Sequence, residues 1–555
     1  MRTMALAALL AAVLTTPALA APDLIVVNAK VFTADPARPY AQAVAVEDGR
    51  FTAVGADADV RKLADSKTKV VDAGGRLLVP GLNDSHIHVS RDPAGRFIEV
   101  AGPPFPGPDS EQTLAAIREA AAARRPGWIV MVTGYPVFND RRDWRAALDA
   151  AAPDNPVMLL GCCGHAMLLN SKAYEAVGVD ESVKDPIGGH WGRDKDGRLN
   201  GVVVEAAQYL VRRRAAAPDP DGALDAAVVR ATAKTYSAWG VTSVGQMAHN
   251  GDLATVKAAL VQAKPSIRWS VYAWGLPQAD VAEAWREVDG DAGGWPARTR
   301  LAGSKWILDG TPLERGAKML ADYADQPGWR GMSNYSDDQL RQILEGALRS
   351  EGQLALHVSG DGEAKRLFDM MERLAPAETW VGKRVRIEHA DGVYGERLVQ
   401  ARRLGVVLLP NPIHNAPMPV ENGAILQTTR WGGTADLQQP MAAVLKAGVH
   451  LALASDGGNA EAVASPWLQF MLAVTYERRP DDALSREQAL IAYTAGAAFA
   501  EKQEGMKGAI RPGLLADFAI LSQDVLTVPP PELPKTTSLL TVVGGETVHA
   551  AEPFR

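Results

Sequence analysis

Pro80-Gly81-Leu82-Asn83-Asp84-Ser85-His86-Ile87-His88 is the stretch that decides how the chain is read. It follows the apolar run Leu77 to Val79, which reads as a short buried strand. Residues i and i+2 of an extended strand point to one side, so His86 and His88 send two imidazoles into one space at the strand's end. Two nitrogen donors supplied so close together suit a single metal ion. A His-x-His pair alone is a weak signal. Its weight comes from the His, Lys and Asp residues placed at later apolar runs.

Those runs begin at Val241, Ile267, Leu301, Leu354, Val385, Val406 and Val449, and helical segments such as Leu340 to Arg349 and Gly362 to Leu374 lie between most of them. With the run before His86 they make eight strands alternating with helices. This is the pattern of an α/β chain folded as a (β/α)8 TIM-like barrel, whose active site lies at the C-terminal ends of its strands. His86 and His88 end the first strand, Lys305 lies in the fourth, His357 ends the fifth, His389 the sixth and Asp456 the eighth. Such a group makes a poor core cluster, because each unpaired buried polar group costs several kcal/mol. A metal centre at the barrel mouth accounts for all of them.

The two ends of the chain read differently from its middle. Short strand-like runs separated by Asp-Gly and Gly-Gly turns fill residues 21–79, and residues 505–555 carry similar ones. Each set would be marginal as a separate sheet, so both are expected to pair into one composite β-sandwich domain. The barrel then spans 80–504, with an insertion after its first strand at about 90–235.

At 555 residues the chain has room for a large core and a second domain. A net charge of −7 gives no electrostatic reason to expect nucleic acid or an anionic membrane as partner. Met1-Arg2, the apolar run Met4 to Leu14 and Ala18-x-Ala20 read as a secretory signal peptide over residues 1–20, cut after Ala20. The run is shorter than a bilayer-spanning helix needs, which disfavours an uncleaved anchor and any stable membrane insertion. The mature protein is therefore expected to be exported, periplasmic or secreted. Adjacent Cys162 and Cys163 cannot form an unstrained disulfide and read as small buried residues.

Taken in order, these motifs resemble the amidohydrolase superfamily, and within it the amidohydrolase-3, YtcJ-like branch. The likeness rests on the Pro80–His88 signature, Lys305-x-x-x-Asp309-Gly310, Leu356-His357-x-x-Gly360-Asp361, Ile387-Glu388-His389-Ala390 and Ser455-Asp456. Tyr493-Thr494-x-Gly496-Ala497-Ala498 and Gly508-x-Ile510-x-Pro512-Gly513-x-x-Ala516-Asp517 extend it to the C-terminal end. The resemblance implies that His86 and His88 bind a buried divalent metal, with zinc the first choice, and that His357 and His389 bind a more exposed one. It implies a carboxylated Lys305 bridging both, and Asp456 as metal ligand and proton relay. A strand-end lysine in a salt bridge is the alternative for Lys305 and would leave one ion per chain. Burial favours the neutral amine that reacts with CO2. Gly164-His165-Ala-Met-Leu-Leu-Asn170 and Gly201-Val-Val-Val-Glu205-Ala206 resemble substrate-side segments of the branch, making His165 and Glu205 substrate-binding candidates. For Glu205 the alternative is a carboxylate favoured by a helix N-terminus. His190, His249, His414 and His450 have no matching role and read as structural or surface residues, although His414 follows the seventh strand and can line the mouth.

The implied activity is metal-dependent hydrolysis of a C–N bond, an N-acyl or N-formyl amide of a small molecule, by metal-activated water. An esterase or lactonase on the same centre and a non-catalytic envelope binding protein are the rivals. A homodimer is the expected assembly on the same resemblance. The loop after Asp309-Gly310 carries Leu313, Glu314 and Arg315 where the branch has small residues, so the substrate itself does not carry over.

Overall fold

The computed structural model describes residues 21–89, 91, 95–100, 107–140, 142–161, 164–216, 219, 221–248, 252–274, 281–418, 425–458 and 464–555. The signal-peptide reading of residues 1–20, the Cys162–Cys163 pair and His249 lie outside them.

Eight parallel strands form the central sheet. In sheet order they are Leu82–Ile87, Val241–Ala248, Arg268–Trp274, Thr299–Ile307, Gln353–Val358, Arg386–His389, Val407–Leu409 and His450–Leu451, which is also their order along the chain. The first strand meets the chain just beyond the eighth through an Ile87–Gly457 bridge. His88 N–H donates to Gly457 O at 2.8 Å and Asp456 N–H to His86 O at 3.0 Å, closing the sheet into a distorted TIM barrel. Sequential parallel strands with helical crossovers give this architecture, and the mouth lies at the strands' C-terminal ends. Gly245 in the second strand sits against the signature where the pairing register shifts. A Cβ there would lie 2.1 Å from Ser85 O, so only glycine lets the two strands approach.

The helices cover the barrel through one large apolar cluster. Helix Asp337–Arg349 illustrates why they form. Ser336 and Gln339 make a reciprocal capping box at its start, and Leu340, Ile343, Leu344 and Ala347 recur at helical spacing on its buried face.

The expectation for Leu77 to Val79 needs correction. Leu77–Pro80 does not lead the histidines into the barrel. It is a strand of a separate six-stranded sheet, paired with Lys30–Phe32 on one side and Phe518–Leu521 on the other. The barrel strand is the signature itself, Leu82–Ile87, buried along its whole length. Strands from both chain ends therefore share one sheet. A four-stranded sheet of Arg50–Gly55, Ala43–Glu47, Leu24–Val27 and Lys69–Asp72 packs with it around Val26, Val44, Phe51, Leu78, Phe518 and Val542.

A third accessory sheet stands between the first two barrel strands in sequence. Its six strands run Gly189–Arg193, Leu199–Glu205, Ala166–Leu169, Val157–Gly161, Ile129–Thr133 and Arg96–Phe97. Helix Ala223–Ala238 then packs Ala226, Val229, Ala233 and Tyr236 onto the barrel.

Candidate active site

Three donors of the predicted set converge at the seam between the first and last strands. His86 and His88 alternate with Ile87, which is fully buried in the outer apolar layer while the imidazoles face the mouth. His86 Nε2 lies 3.2 Å from His88 Nε2 and 3.3 Å from Asp456 Oδ1, and His88 Nε2 lies 3.0 Å from the same oxygen. The His86 ring is fixed from behind. Its Nδ1 is 2.6 Å from Glu388 Oε2, and Glu388 is held by Arg386 at 2.7 and 3.0 Å. Arg386 also donates to Tyr272 Oη and Ser85 O, both at 2.7 Å. A carboxylate on Nδ1 keeps the proton there and turns the Nε2 lone pair to the seam.

Electrostatics favour the protonation states a cation needs. Burial holds His86, His357 and His389 well below the ordinary imidazole pKa, and neighbouring positive groups add to it. For Asp456 burial opposes ionisation, but His86 and His88 outweigh it and hold the carboxyl well below its usual range. A neutral His86 imidazole and an ionised carboxylate facing one point fit a divalent ion.

Lys305 is buried, with Nζ 3.5 Å from His86 Nε2 and 5.4 Å from the Trp274 ring centroid. Burial lowers its pKa from 10.5 to about 8. His357 and His389 meet at a ring separation of 4.4 Å, and His389 lies 5.0 Å from His86. His357 Nδ1 is buried with no hydrogen-bond partner among the described residues, and its Nε2 is 3.4 Å from Gly310 O. Asp309 fixes the turn after His357 by accepting from Ser359 N–H at 3.0 Å and Gly360 N–H at 2.8 Å. Regular strand alternation would send Glu388 and His389 to opposite faces. A positive φ of 67° at His389 turns its ring back to the mouth, where Nδ1 meets Asn411 Oδ1 at 2.7 Å.

The insertion contributes His165 and Glu205. They sit on adjacent antiparallel strands, beside the Ala166–Val204 pair. His165 Nδ1 is 2.8 Å from Glu205 Oε1, and the His165 ring is 4.6 Å from His357. Glu205 adopts a left-handed φ of 54°, and its Oε2 is buried with no hydrogen-bond partner among the described residues. Burial works against protonation of His165, but the Glu205 carboxylate outweighs it and raises the pKa.

All eight residues singled out from the sequence thus gather at one mouth. Of the four histidines read as structural, His414 also joins them. Its ring stacks on His389 with centroids 5.5 Å apart, and its Nδ1 is 3.1 Å from Asp391 Oδ1. By contrast His190 pairs with Asp185 at 3.2 Å beside the Gly189–Glu205 strand pair, and His450 stacks on Phe499. Glu388, Asn411 and Asp391 went unassigned in sequence. Glu388 and Asp391 stand within two residues of His389, and Asn411 three before His414, the one available hint. Two groups, His86–His88–Asp456 and His389–His414–Asp456, have ligand atoms mutually within 4.8 Å and could hold a divalent metal.

A TIM-like barrel with His and Asp donors converging at the strand ends defines a metal-dependent hydrolase. The model of the Amidohydrolase family, Amidohydro_3, matches residues 69–549, and the chain belongs to that family, whose enzymes act on C–N bonds. It is similar to the N-substituted formamide deformylase of Arthrobacter pascens, 28% identical over 94% of this chain and 97% of that protein. Protein LONG AFTER FAR-RED 3 of Arabidopsis thaliana is 27% identical over 97% of this chain and 93% of its own length. Among solved structures, an uncharacterized metal-dependent hydrolase from Pyrococcus horikoshii superposes with a TM-score of 0.65 at 21% identity, covering 92% of this chain and 99% of that one. This last likeness concerns the fold.

Proposed function

We propose that the protein is a metal-dependent amidohydrolase that hydrolyses an N-acyl or N-formyl amide of a small molecule. The observation that carries the reading is the convergence of His86 Nε2, His88 Nε2 and Asp456 Oδ1 within 3.3 Å, with His86 Nδ1 committed to Glu388. The deformylase relative supports the formyl end of the range.

His86, His88 and Asp456 would hold one divalent ion, zinc by preference, while Lys305, His357 and His389 line the opposite side. A bound ion there supplies a lowered pKa for water and polarisation of the scissile carbonyl. The chain's own residues do the rest. Ionised Asp456 accepts a proton at its carboxylate and returns it to the leaving nitrogen. Neutral Lys305 is the form that takes up CO2, and carboxylation there would add an anionic bridge. His165 and Glu205 offer a polar wall for the acyl or amine portion. Arg386, Glu388, Tyr272 and Trp274 close the floor against water.

Export after removal of residues 1–20, and assembly as a homodimer, complete the reading. Among the described residues no helix is long and apolar enough to cross a membrane. The division into a composite β-domain at 21–79 plus 505–555 and a barrel at 80–504 is part of the same proposal and is supported by the sheet shared between the chain ends.

The test is metal content per chain, then hydrolysis of matched N-formyl amides, N-acyl amides and esters before and after chelation. One or two divalent ions and chelator-sensitive amide cleavage are expected. A metal-free folded protein inert towards the amides would remove the reading, and ester cleavage alone would transfer it to the esterase class.

A further inference from the structure

The loop after the fourth barrel strand carries Leu313, Glu314 and Arg315, and it begins inside the site. Gly310 O lies 3.4 Å from His357 Nε2, and a Cβ on Gly310 would stand 3.2 Å from Glu205 Oε1. From there the backbone folds into a tight turn. Arg315 N–H donates to Pro312 O at 3.1 Å and Gly316 N–H to Thr311 O at 2.9 Å. Lys318 N–H then donates to Asp309 Oδ2 at 2.9 Å, which pins the exit of the turn beside its entry.

This turn is clamped to the loop after the seventh strand. Arg430, on the short helix Leu426–Trp431, has a side chain only 1% exposed. Its Nε donates to Pro312 O at 3.1 Å and its Nη2 to Leu313 O at 3.3 Å, and the guanidinium also pairs with Asp325 and with Asn139 of the insertion. Asp325 receives Arg315 as well, at 3.1 and 2.8 Å, and Trp329 Nε1 donates to Arg315 O at 2.7 Å. Tyr323 and Trp329 share an apolar cluster with Trp431 and Ala435. The fourth and seventh strands are not neighbours in the sheet, so contacts between their loops pass over part of the mouth. A buried guanidinium cannot leave such partners without stranding its charge, which makes the roof a fixed one. On it, Leu313 packs against the buried Met418 and Leu426. Gln427 ties that apolar patch to the turn bearing His414, donating to His414 O at 3.1 Å and Ala416 O at 2.7 Å while accepting from Met418 N–H at 3.3 Å. Glu314, next in the chain, accepts from Thr311 Oγ1, and its charge acts on His165 and Glu205.

We infer that this clamped roof sets substrate choice: Leu313, with Met418 and Leu426, takes an apolar substituent of the amide, and Arg430 is the positioning residue that holds Leu313 over the mouth. The inference rests on the hydrolase reading and deepens it by naming the substrate class, amides that carry an aliphatic group of several carbons. Apolar area removed from water against the patch rewards each added methylene, whereas a roof free to move would not hold the patch in place.

The experiment measures kcat and KM of the full-length, zinc-loaded protein on N-alkylformamides and N-alkylacetamides with chains from methyl to hexyl. For wild type, kcat/KM should rise about fourfold per methylene until the patch is covered. Leu313→Ala should flatten the rise to about twofold or less, and the volume-conserving Leu313→Met should keep it. Arg430→Lys retains the charge but not the planar fork, so KM for the hexyl substrate should rise about tenfold with kcat and zinc content little changed. Circular dichroism identifies any variant that fails to fold, and the Leu313 pair keeps the question decidable if Arg430→Lys is lost. Cleavage with no gain along the series, or a wild-type gain retained in folded Leu313→Ala, would overturn the inference and leave the hydrolase reading intact. Cleavage of no amide in either series removes the hydrolase reading, and the inference falls with it.

Discussion

Glu388→Gln perturbs the centre without touching a donor atom that faces it. Arg386 and Glu388 are both fully buried, and the carboxylate serves the guanidinium and His86 Nδ1 together. The amide keeps the shape but loses the charge, with two consequences. Removing an outer carboxylate from a ligand histidine weakens metal binding about ten- to a hundredfold, or about 1.4–2.7 kcal/mol. Leaving Arg386 as an uncompensated buried charge costs about 3–5 kcal/mol of stability. Chelator competition reads the first and thermal unfolding of the metal-free protein reads the second. Adding Arg386→Met to Glu388→Gln separates them: stability should return in large part, because the stranded charge is gone, while affinity stays low. Wild-type affinity in folded Glu388→Gln would refute the assignment of Glu388 as the group orienting His86. Recovery of affinity together with stability in the double variant would show that Glu388 acts only through the fold.

Lys305 makes a pH prediction for the metal-free, CO2-depleted protein. Its pKa falls from 10.5 to about 8 on folding, so between those values the unfolded chain holds a proton that the folded chain has released. Stability therefore rises with pH across that window, by about 3 kcal/mol in total. Urea midpoints for wild type minus Lys305→Met should show the rise; a flat difference would place the amine in a less buried setting. Asp456→Asn and His389→Ala should each lower turnover by about 10²–10⁴-fold with circular dichroism unchanged, and near-native rates in either would contradict their roles. His165→Asn and Glu205→Gln should raise KM more than they lower kcat, as loss of binding common to ground and transition states requires. A pure loss of kcat would move the pair from binding into chemistry.

The order of the barrel strands was readable because parallel strands buried on both faces leave continuous apolar runs, as at Leu354–Val358 and Val406–Leu409. The same criterion failed at the first strand. Asn83, Asp84 and Ser85 are polar yet buried, so Leu82–Ile87 does not look like a strand, and the more apolar Leu77–Pro80 beside it took its place. Donors that end strands were legible one by one. Their supports were not. Glu388 meets His86 across 302 residues, and only strand register brings the two together. His414 was placed near the mouth but given no role, because it follows its strand on a 3-10 turn and no strand-end pattern marks it. Nor could alternation indicate that His389 shares a face with Glu388, since that depends on its left-handed backbone.

Two of the converging donors sit on left-handed backbone, and this gives the centre a structural consequence. Asp456 and His389 have φ of 56° and 67°, conformations that cost about 1–3 kcal/mol each for residues other than glycine. Asp456 also belongs to the seam, which closes through His88 N–H to Gly457 O, Asp456 N–H to His86 O, and Ser455 N–H to Asp84 Oδ1 at 2.9 Å. Asp84 is itself in tension: burial pushes its carboxyl up to about 7, and its second oxygen has no hydrogen-bond partner among the described residues. An ion shared by His86, His88 and Asp456 would tie the first strand to the segment after the last at the point where ladder pairing gives out. Because an ion that binds only the closed form shifts the equilibrium towards it by mass action, occupancy and barrel closure become one equilibrium. The strain at Asp456 then has a counterpart in the cation that its left-handed turn positions the carboxylate to meet.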